Sequence, residues 1–308
     1  MLDKEGNRIN RRNAQDIFTP LYNHQIPPGA GQVVHYGFTL PEDINQPLEI
    51  EIRLNYRKFD REYLDIIAKE TKNKRTEDLP ILTLATDSLT LPVEGVPEPE
   101  ENPEREIPEW QRWNDYGIGL FLEGTAEIRQ AEAAFRKVEQ LGRFDGPLNL
   151  ARVLYREGRI DEAGEAIVRA SEYDDPPPPE WTLAWLSGLV NREQLRLREA
   201  EENFRKVLYG VSEERLERGF DFSRDYRVVN LLGQTLFDRA QQLRTDNRAE
   251  EREKLLFEAA AEFEKTLLID SENVSAHYNL GQIYDRLDMP DRAERHKALH
   301  QKYKPDDT

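Results

Sequence analysis

Small residues recur at fixed intervals along the last two thirds of this chain, and that recurrence constrains the fold more than any other feature. Ala151 stands twelve residues before Ala163, Gly188 twelve before Ala200, and Gly281 twelve before Ala293. Four residues after Ala163 and Ala200 come the large side chains Ile167 and Phe204. This spacing fits two antiparallel helices joined by a short turn, with a small residue on each where the backbones come closest. The large residues then fill the wedge between one hairpin and the next. A chain that repeats such a unit stacks it into a solenoid in which each hairpin touches mainly its neighbours.

Five units are legible. The first runs through Trp113, Tyr116, Gly117 and Leu120 to Ala131 and Phe135, and one period of 34 residues after Gly117 lies Ala151. The second holds Leu150, Ala151, Leu154, Gly158, Ala163, Ile167 and Ala170. Its internal turn is two residues shorter, since Gly158 precedes Ala163 by five whereas Gly124 precedes Ala131 by seven. Turns accept such insertions at small cost. The third holds Gly188, Ala200, Phe204 and Val207, and the prolines at 176–179 end the helix before it. In the fourth, Leu232, Gly233 and Leu236 are separated from Ala259, Phe263 and Thr266 by a long polar stretch at 238–254, which predicts an elongated hairpin with an exposed tip. The fifth, with His277, Leu280, Gly281, Tyr284 and Ala293, carries Lys297 and His300 where core residues stand elsewhere, the mark of a capping hairpin.

The N-terminal third follows another rule. Leu48, Ile50, Ile52, Leu54 and Tyr56 alternate with polar residues, as do Val34, Tyr36, Phe38 and Leu40, and period two predicts half-buried strands. These two runs read as an antiparallel pair joined by a loop over 41–47, and short apolar runs at 81–85 and 88–93 extend the sheet or lie opposite it as a small sandwich. Helical turns are predicted at 14–19, ended by Pro20, and at 60–70, with a tight turn at 26–29. A Pro- and Glu-rich stretch follows as a solvated linker. The expected fold is α+β overall: a small, sandwich-like β-rich domain at 1–91, a linker at 92–109, and an all-α superhelix of about five helix hairpins at 110–308.

Composition narrows the function. The 308 residues carry a net charge of -17, with 60 acidic and 43 basic side chains, which argues against a nucleic-acid partner. There is no cysteine, hence no disulfide, thiolate metal site or covalent haem attachment. The charged start MLDKEGNRINRRN has no apolar core of a signal peptide, and no apolar run approaches the length of a membrane span. His296 and His300 are a helical turn apart but have no third metal ligand nearby, so they read as solvent-facing. His24 and His35 have no nucleophile within reach. No phosphate loop, nucleophile elbow or zinc motif is present, so neither enzymatic activity nor a cofactor is expected. The tryptophans at 110, 113, 181 and 185 read as packing between hairpins.

In a superhelix of hairpins, the first helix of each pair lines the concave face. Register from the Gly or Ala position puts there Asn114, Ile118 and Phe121; Arg152 and Tyr155; Trp185 and Arg192; Asn230, Gln234 and Phe237; and Tyr278, Gln282 and Asp285. Amide, arginine and aromatic groups in one groove suit a peptide or protein partner.

The residues quoted for the hairpins resemble the tetratricopeptide repeat (TPR) family over about 110–303, which implies a non-enzymatic scaffold for protein interactions. Some members of that family clamp a C-terminal carboxylate with a lysine in the first helices. This chain has Asn114, Leu148, Trp185, Asn230 and Tyr278 at the corresponding places, so that mode is not expected. Across the whole chain, RRNAQDIF from Arg11, NHQIPPG from Asn23, NYRKF from Asn55 and WNDYGIGL from Trp113 are similar to the C-terminal part of bacterial multihaem c-type cytochromes that carry such repeats. That resemblance implies an upstream haem-bearing part, a periplasmic location and docking within an electron-transfer complex; without it the cytoplasm is the expectation. It places Met1 in mid-domain and transfers no haem ligand, because the chain lacks the Cys-x-x-Cys-His motif.

Overall fold

The computed structural model describes residues 2–7, 26, 31–41, 43–59, 61, 64, 65, 68, 79–97, 105–243 and 246–304. The chain divides into two units, Met1–Pro108 and Glu109–Thr308.

The first unit is built on an antiparallel ribbon of β1 (Leu48–Tyr56) and β2 (Leu82–Leu91). Leu48 faces Leu91 and Ile50 faces Leu89, with a register shift between Leu54 and Asn55. The run from Val34 to Leu40 forms no strand, and Tyr36 is 83% exposed. The expected pairing of that run with β1 is corrected: β2 is the partner, 26 residues beyond the end of β1. The short runs at 81–85 and 88–93 belong to one strand, because Thr86 and Asp87 lie in register opposite Arg53 and Ile52. The sandwich is also corrected: among the described residues the unit has one sheet of two strands. Alternation gathers apolar side chains on one face but supplies no second sheet to cover them. Among the described residues, Ile52 and Leu84 each stay 61% exposed. The turn at 14–19, His24 and most of 26–29 lie outside the described residues, and His35 is exposed. Of 60–70, Arg61, Leu64, Asp65 and Ala68 are described, and all are helical.

The second unit is five helix hairpins. They pair α1 (Glu109–Glu123) with α2 (Ile128–Gln140), α3 (Asp145–Arg156) with α4 (Ile160–Ser171), and α5 (Glu180–Glu193) with α6 (Leu197–Tyr209). After the short helix α7 (Glu213–Glu217) and a 3-10 turn at Phe222–Arg224, α8 (Tyr226–Gln242) pairs with α9 (Ala249–Ile269), and α10 (Val274–Arg286) with α11 (Pro290–Tyr303). The fourth hairpin is the long one, as its polar stretch predicts.

The small residues work within each hairpin. A Cβ on Gly117 would lie 2.7 Å from the Phe135 ring, one on Gly188 2.6 Å from Phe204, and one on Gly233 3.1 Å from Phe263. Each ring is at most 2% exposed and covers the glycine of its own hairpin, which sets the helix separation. In the last hairpin Lys297 takes that place: its Cγ would be 3.2 Å from a Cβ on Gly281, while its Nζ reaches Asp285 at 2.7 Å. The aliphatic stem fills the core position and the ammonium stays wet. Second helices pack on the next first helix, α2 on α3, α4 on α5, α6 on α8 and α9 on α10. The repeats are therefore tetratricopeptide-like in geometry as well as in spacing.

In the second, third and fifth hairpins a left-handed residue follows the first helix. Gly158 has φ 77°, and the next amide, of Arg159, donates back to Leu154 O at 2.9 Å. Leu195 and Asp288 hold the same place in the third and fifth hairpins with φ 59° and 55°, a conformation that disfavours side chains.

Candidate functional site

The first helices of the first three hairpins touch one another, α1 with α3 and α3 with α5, and so do α8 and α10. At the junction of the third and fourth hairpins, residues 210–225 are inserted, and the 3-10 turn rests on both α6 and α8. This insertion makes the site that reading the repeats alone overlooks.

Four aromatic rings collect there. Trp181 lies 5.9 Å from Phe220 and 6.4 Å from Phe222, and Phe220 lies 5.8 Å from Phe222. Trp185 stands one turn further along α5, 6.0 Å from Phe204. Arg215, 7% exposed, donates to Gly210 O and lies over the Phe222 ring at 4.8 Å, which pins the insertion. Trp181, Trp185, Phe220 and Phe222 line a cleft of about 390 Å³ that is open to solvent. Arg152 from α3 and the pair Asp225 and Arg227 complete its wall.

The charges in the cleft are unequally matched. Asp225 caps α8 by accepting from Arg227 N at 3.0 Å, and its carboxylate holds the Arg227 guanidinium at 2.8 Å. The Arg227 side chain, ahead of opposing burial, holds the Asp225 pKa below its usual value. Arg152 makes no hydrogen bond or ion pair among the described residues, and its buried Nε has no partner. Burial pushes its pKa down. Arg143 and Arg192 also bury an unpartnered Nε, but their guanidinium ends reach Asp145 and Asp238 at 3.3 and 3.2 Å.

The other groove residues divide into two groups. Arg192 and Gln234 converge on Asp238, Gln234 donating at 2.9 Å. Tyr155 OH is 3.4 Å from Glu193, and Ile118 and Gln282 are half-buried on the same helix faces. Tyr278 is 53% exposed beside His300. The remainder have structural partners. Asn114 accepts from Asn149 at 2.9 Å, and the backbone of Phe121 accepts from Arg156 at 2.8 Å with that guanidinium over its ring. Asn230 accepts from Thr266 and donates to Asn273, linking three helix ends, and Asp285 is paired with Lys297. Phe237 is corrected outright. At 2% exposure it is a core residue under Arg286 and offers no surface to a partner, because the long fourth hairpin buries a further turn of α8.

The histidines are corrected too. His296 is 7% exposed rather than solvent-facing, and its Nδ1 lies 3.0 Å from Nδ1 of His277, itself 2% exposed. His300 turns away, with Nδ1 3.2 Å from Val274 O. The His277 and His296 rings sit with Tyr284 and Tyr303 as a stacked plug at the end of the array. No cluster that fits a metal ion occurs among the described residues.

Two similar solved structures are the MamA protein, at 14% identity and TM-score 0.48 over 63% of this chain and 91% of that one, and YrrB, described as a TPR protein with an unusual peptide-binding site, at 16% and 0.47 over 63% and 86%. No protein-family model matches the chain. No curated protein matches it in sequence. The fold rests on the Gly-to-Phe contacts described above. No helix among the described residues is long and apolar enough to cross a membrane.

Proposed function

We propose that the second unit is a protein-interaction scaffold with no enzymatic activity of its own, which receives a segment of a partner protein along the face formed by its first helices. The observation that carries this reading is the cleft between the third and fourth hairpins, where aromatic side chains open to solvent stand beside a part-buried arginine without a counter-charge. Aromatic and arginine side chains dominate binding energy at protein interfaces because they bring large, preformed contact area and directed donors. Tyr155, Arg192, Gln234 and Tyr278 continue the face on either side. Residues tied into the fold, such as Asn230 and Asp285, shape it without being free to bind.

The test is capture of partners from native cells by the full chain, compared with Arg152→Glu and with Glu165→Lys, an exposed position on α4 away from the first-helix face. The expected result is that Arg152→Glu loses the captured protein and Glu165→Lys keeps it. Equal recovery by all three refutes the assignment of the face. A haem-bearing partner rests on the sequence resemblance alone; the visible spectrum of the captured material decides it.

A further inference from the structure

We propose that the cleft beside Arg152 recognises an internal acidic-aromatic pair in its partner: a carboxylate side chain of Asp or Glu seated on Arg152, and a neighbouring aromatic or long aliphatic side chain among Trp181, Trp185, Phe220 and Phe222. This rests on the scaffold reading and adds to it the chemistry of the occupant.

The argument starts from Arg152. A guanidinium taken out of water without an anion is costly, and most buried arginines are paired for that reason. The two other arginines whose Nε is buried without a partner meet that requirement at their guanidinium ends, Arg143 with Asp145 and Arg192 with Asp238. Arg152 does not, in a chain with 60 carboxylates and a net charge of -17, where a counter-charge is the easiest thing to supply. The carboxylate among the residues that line the cleft, Asp225, is already committed to Arg227 and to the α8 N-terminus. The fork of donors on Arg152 matches a carboxylate, and its attraction to one is strengthened by the partly buried setting.

The rest of the wall excludes a simple anion as the occupant. Trp181, Phe220 and Phe222 form a mutually packed apolar surface, and Phe220 is still 43% exposed. A free phosphate or a nucleic-acid backbone gains little from that surface and meets a strongly acidic protein. An amino-acid side chain adjoining a carboxylate gains from both halves. Arg152 also lies mid-array, with first helices continuing on both sides of it. A partner chain therefore has room to pass through the cleft, which favours an internal segment over a chain end.

The test uses the full chain and an array of octapeptides in a Gly/Ser background, with every residue pair at the two central positions, acetylated and amidated in one set and ending in a free carboxylate in a second, read by fluorescence polarisation. The expected result is selection of Asp or Glu next to an aromatic or long aliphatic residue, with about tenfold weaker binding when Glu is replaced by Gln, the size of a charge-assisted hydrogen bond. In Arg152→Gln that ratio falls to about one, and in Phe220→Ala the aromatic preference falls while the acid preference stays. Far-UV circular dichroism on both variants confirms the helices. Binding without acid preference, or with a preference that survives Arg152→Gln, overturns the inference and leaves the scaffold reading standing. Binding only of peptides with a free terminal carboxylate overturns the internal-segment assignment. No binding by any peptide overturns the inference; the cell-capture experiment then judges the scaffold reading separately.

Discussion

Gly188→Ala isolates what spaces the two helices of a hairpin. The added Cβ would lie 2.6 Å from Phe204 Cε1 and 2.9 Å from Cδ1, against about 3.5–4.0 Å for carbons in ordinary contact. Phe204 is 0% exposed, so its ring moves only by displacing its neighbours. Overpacking of this kind costs about 1–3 kcal/mol. The helix gains about 1 kcal/mol from replacing glycine by alanine, which leaves a net loss of roughly 1 kcal/mol. Gly164→Ala, where the nearest atom is Val190 Cγ1 at 3.5 Å, keeps the gain and avoids the clash. The same substitution thus has opposite signs on α5 and α4. Urea unfolding followed by far-UV circular dichroism reads both as shifts of the midpoint. Phe204→Leu supplies the second half of a cycle: alone it destabilises by opening a cavity, and with Gly188→Ala the two together cost at least about 1 kcal/mol less than their sum. A Gly188→Ala protein as stable as the parent, or losses that simply add, refutes the idea that the glycine makes room for the ring.

Leu195→Gly relieves a left-handed backbone at a residue whose side chain is 71% exposed. The urea midpoint should rise by the equivalent of about 0.5–1 kcal/mol; a fall contradicts the turn assignment. Arg152→Met removes a desolvated charge that has no partner, and the thermal midpoint of the free protein should rise, by about 1 kcal/mol of stability. A lower midpoint means that Arg152 serves the fold. Asn273→Ala loses the cap on Ala276 N at 3.0 Å and the partner of Asn230 Nδ2 at 3.2 Å, with an expected cost of about 1–3 kcal/mol; a neutral result in the same melt discards that network. His296 has its pKa lowered from 6.5 by burial first and then by His277, Arg295 and Arg292, against the opposing Glu264. The folded state thus binds this proton less readily than the unfolded chain. Its contribution is fully present above pH 6.5 and is lost as pH falls below that value. The thermal midpoint should drop on acidification from pH 7 to pH 5, less so in His296→Leu, and an identical profile in that variant rejects the assignment.

The hairpins were readable from the chain because their determinants are local and periodic. A glycine at one height and a phenylalanine sixteen residues later, as in Gly188 and Phe204, can meet only if the chain turns back on itself. Strand β1 was readable from its alternation, but its partner was not. Period two marks a face and says nothing about which distant segment supplies hydrogen bonds, so the 34–40 run looked as eligible as β2. The candidate site suffered from the same limit. Register placed Phe237 and Arg192 on the first-helix face, while burial by the long fourth hairpin and an ion pair to Asp238, 46 residues away in sequence, decided their roles. Phe220 and Phe222, in the polar stretch between α7 and α8, were the available sign of the insertion, since aromatic residues in a solvated connection lack a reason to be there. What the sequence determined by itself is thus the repeat, a property of spacing along one chain. Only the tertiary structure decided which arginine keeps a counter-charge and which is left open, because charge pairing and burial depend on groups that the sequence keeps far apart.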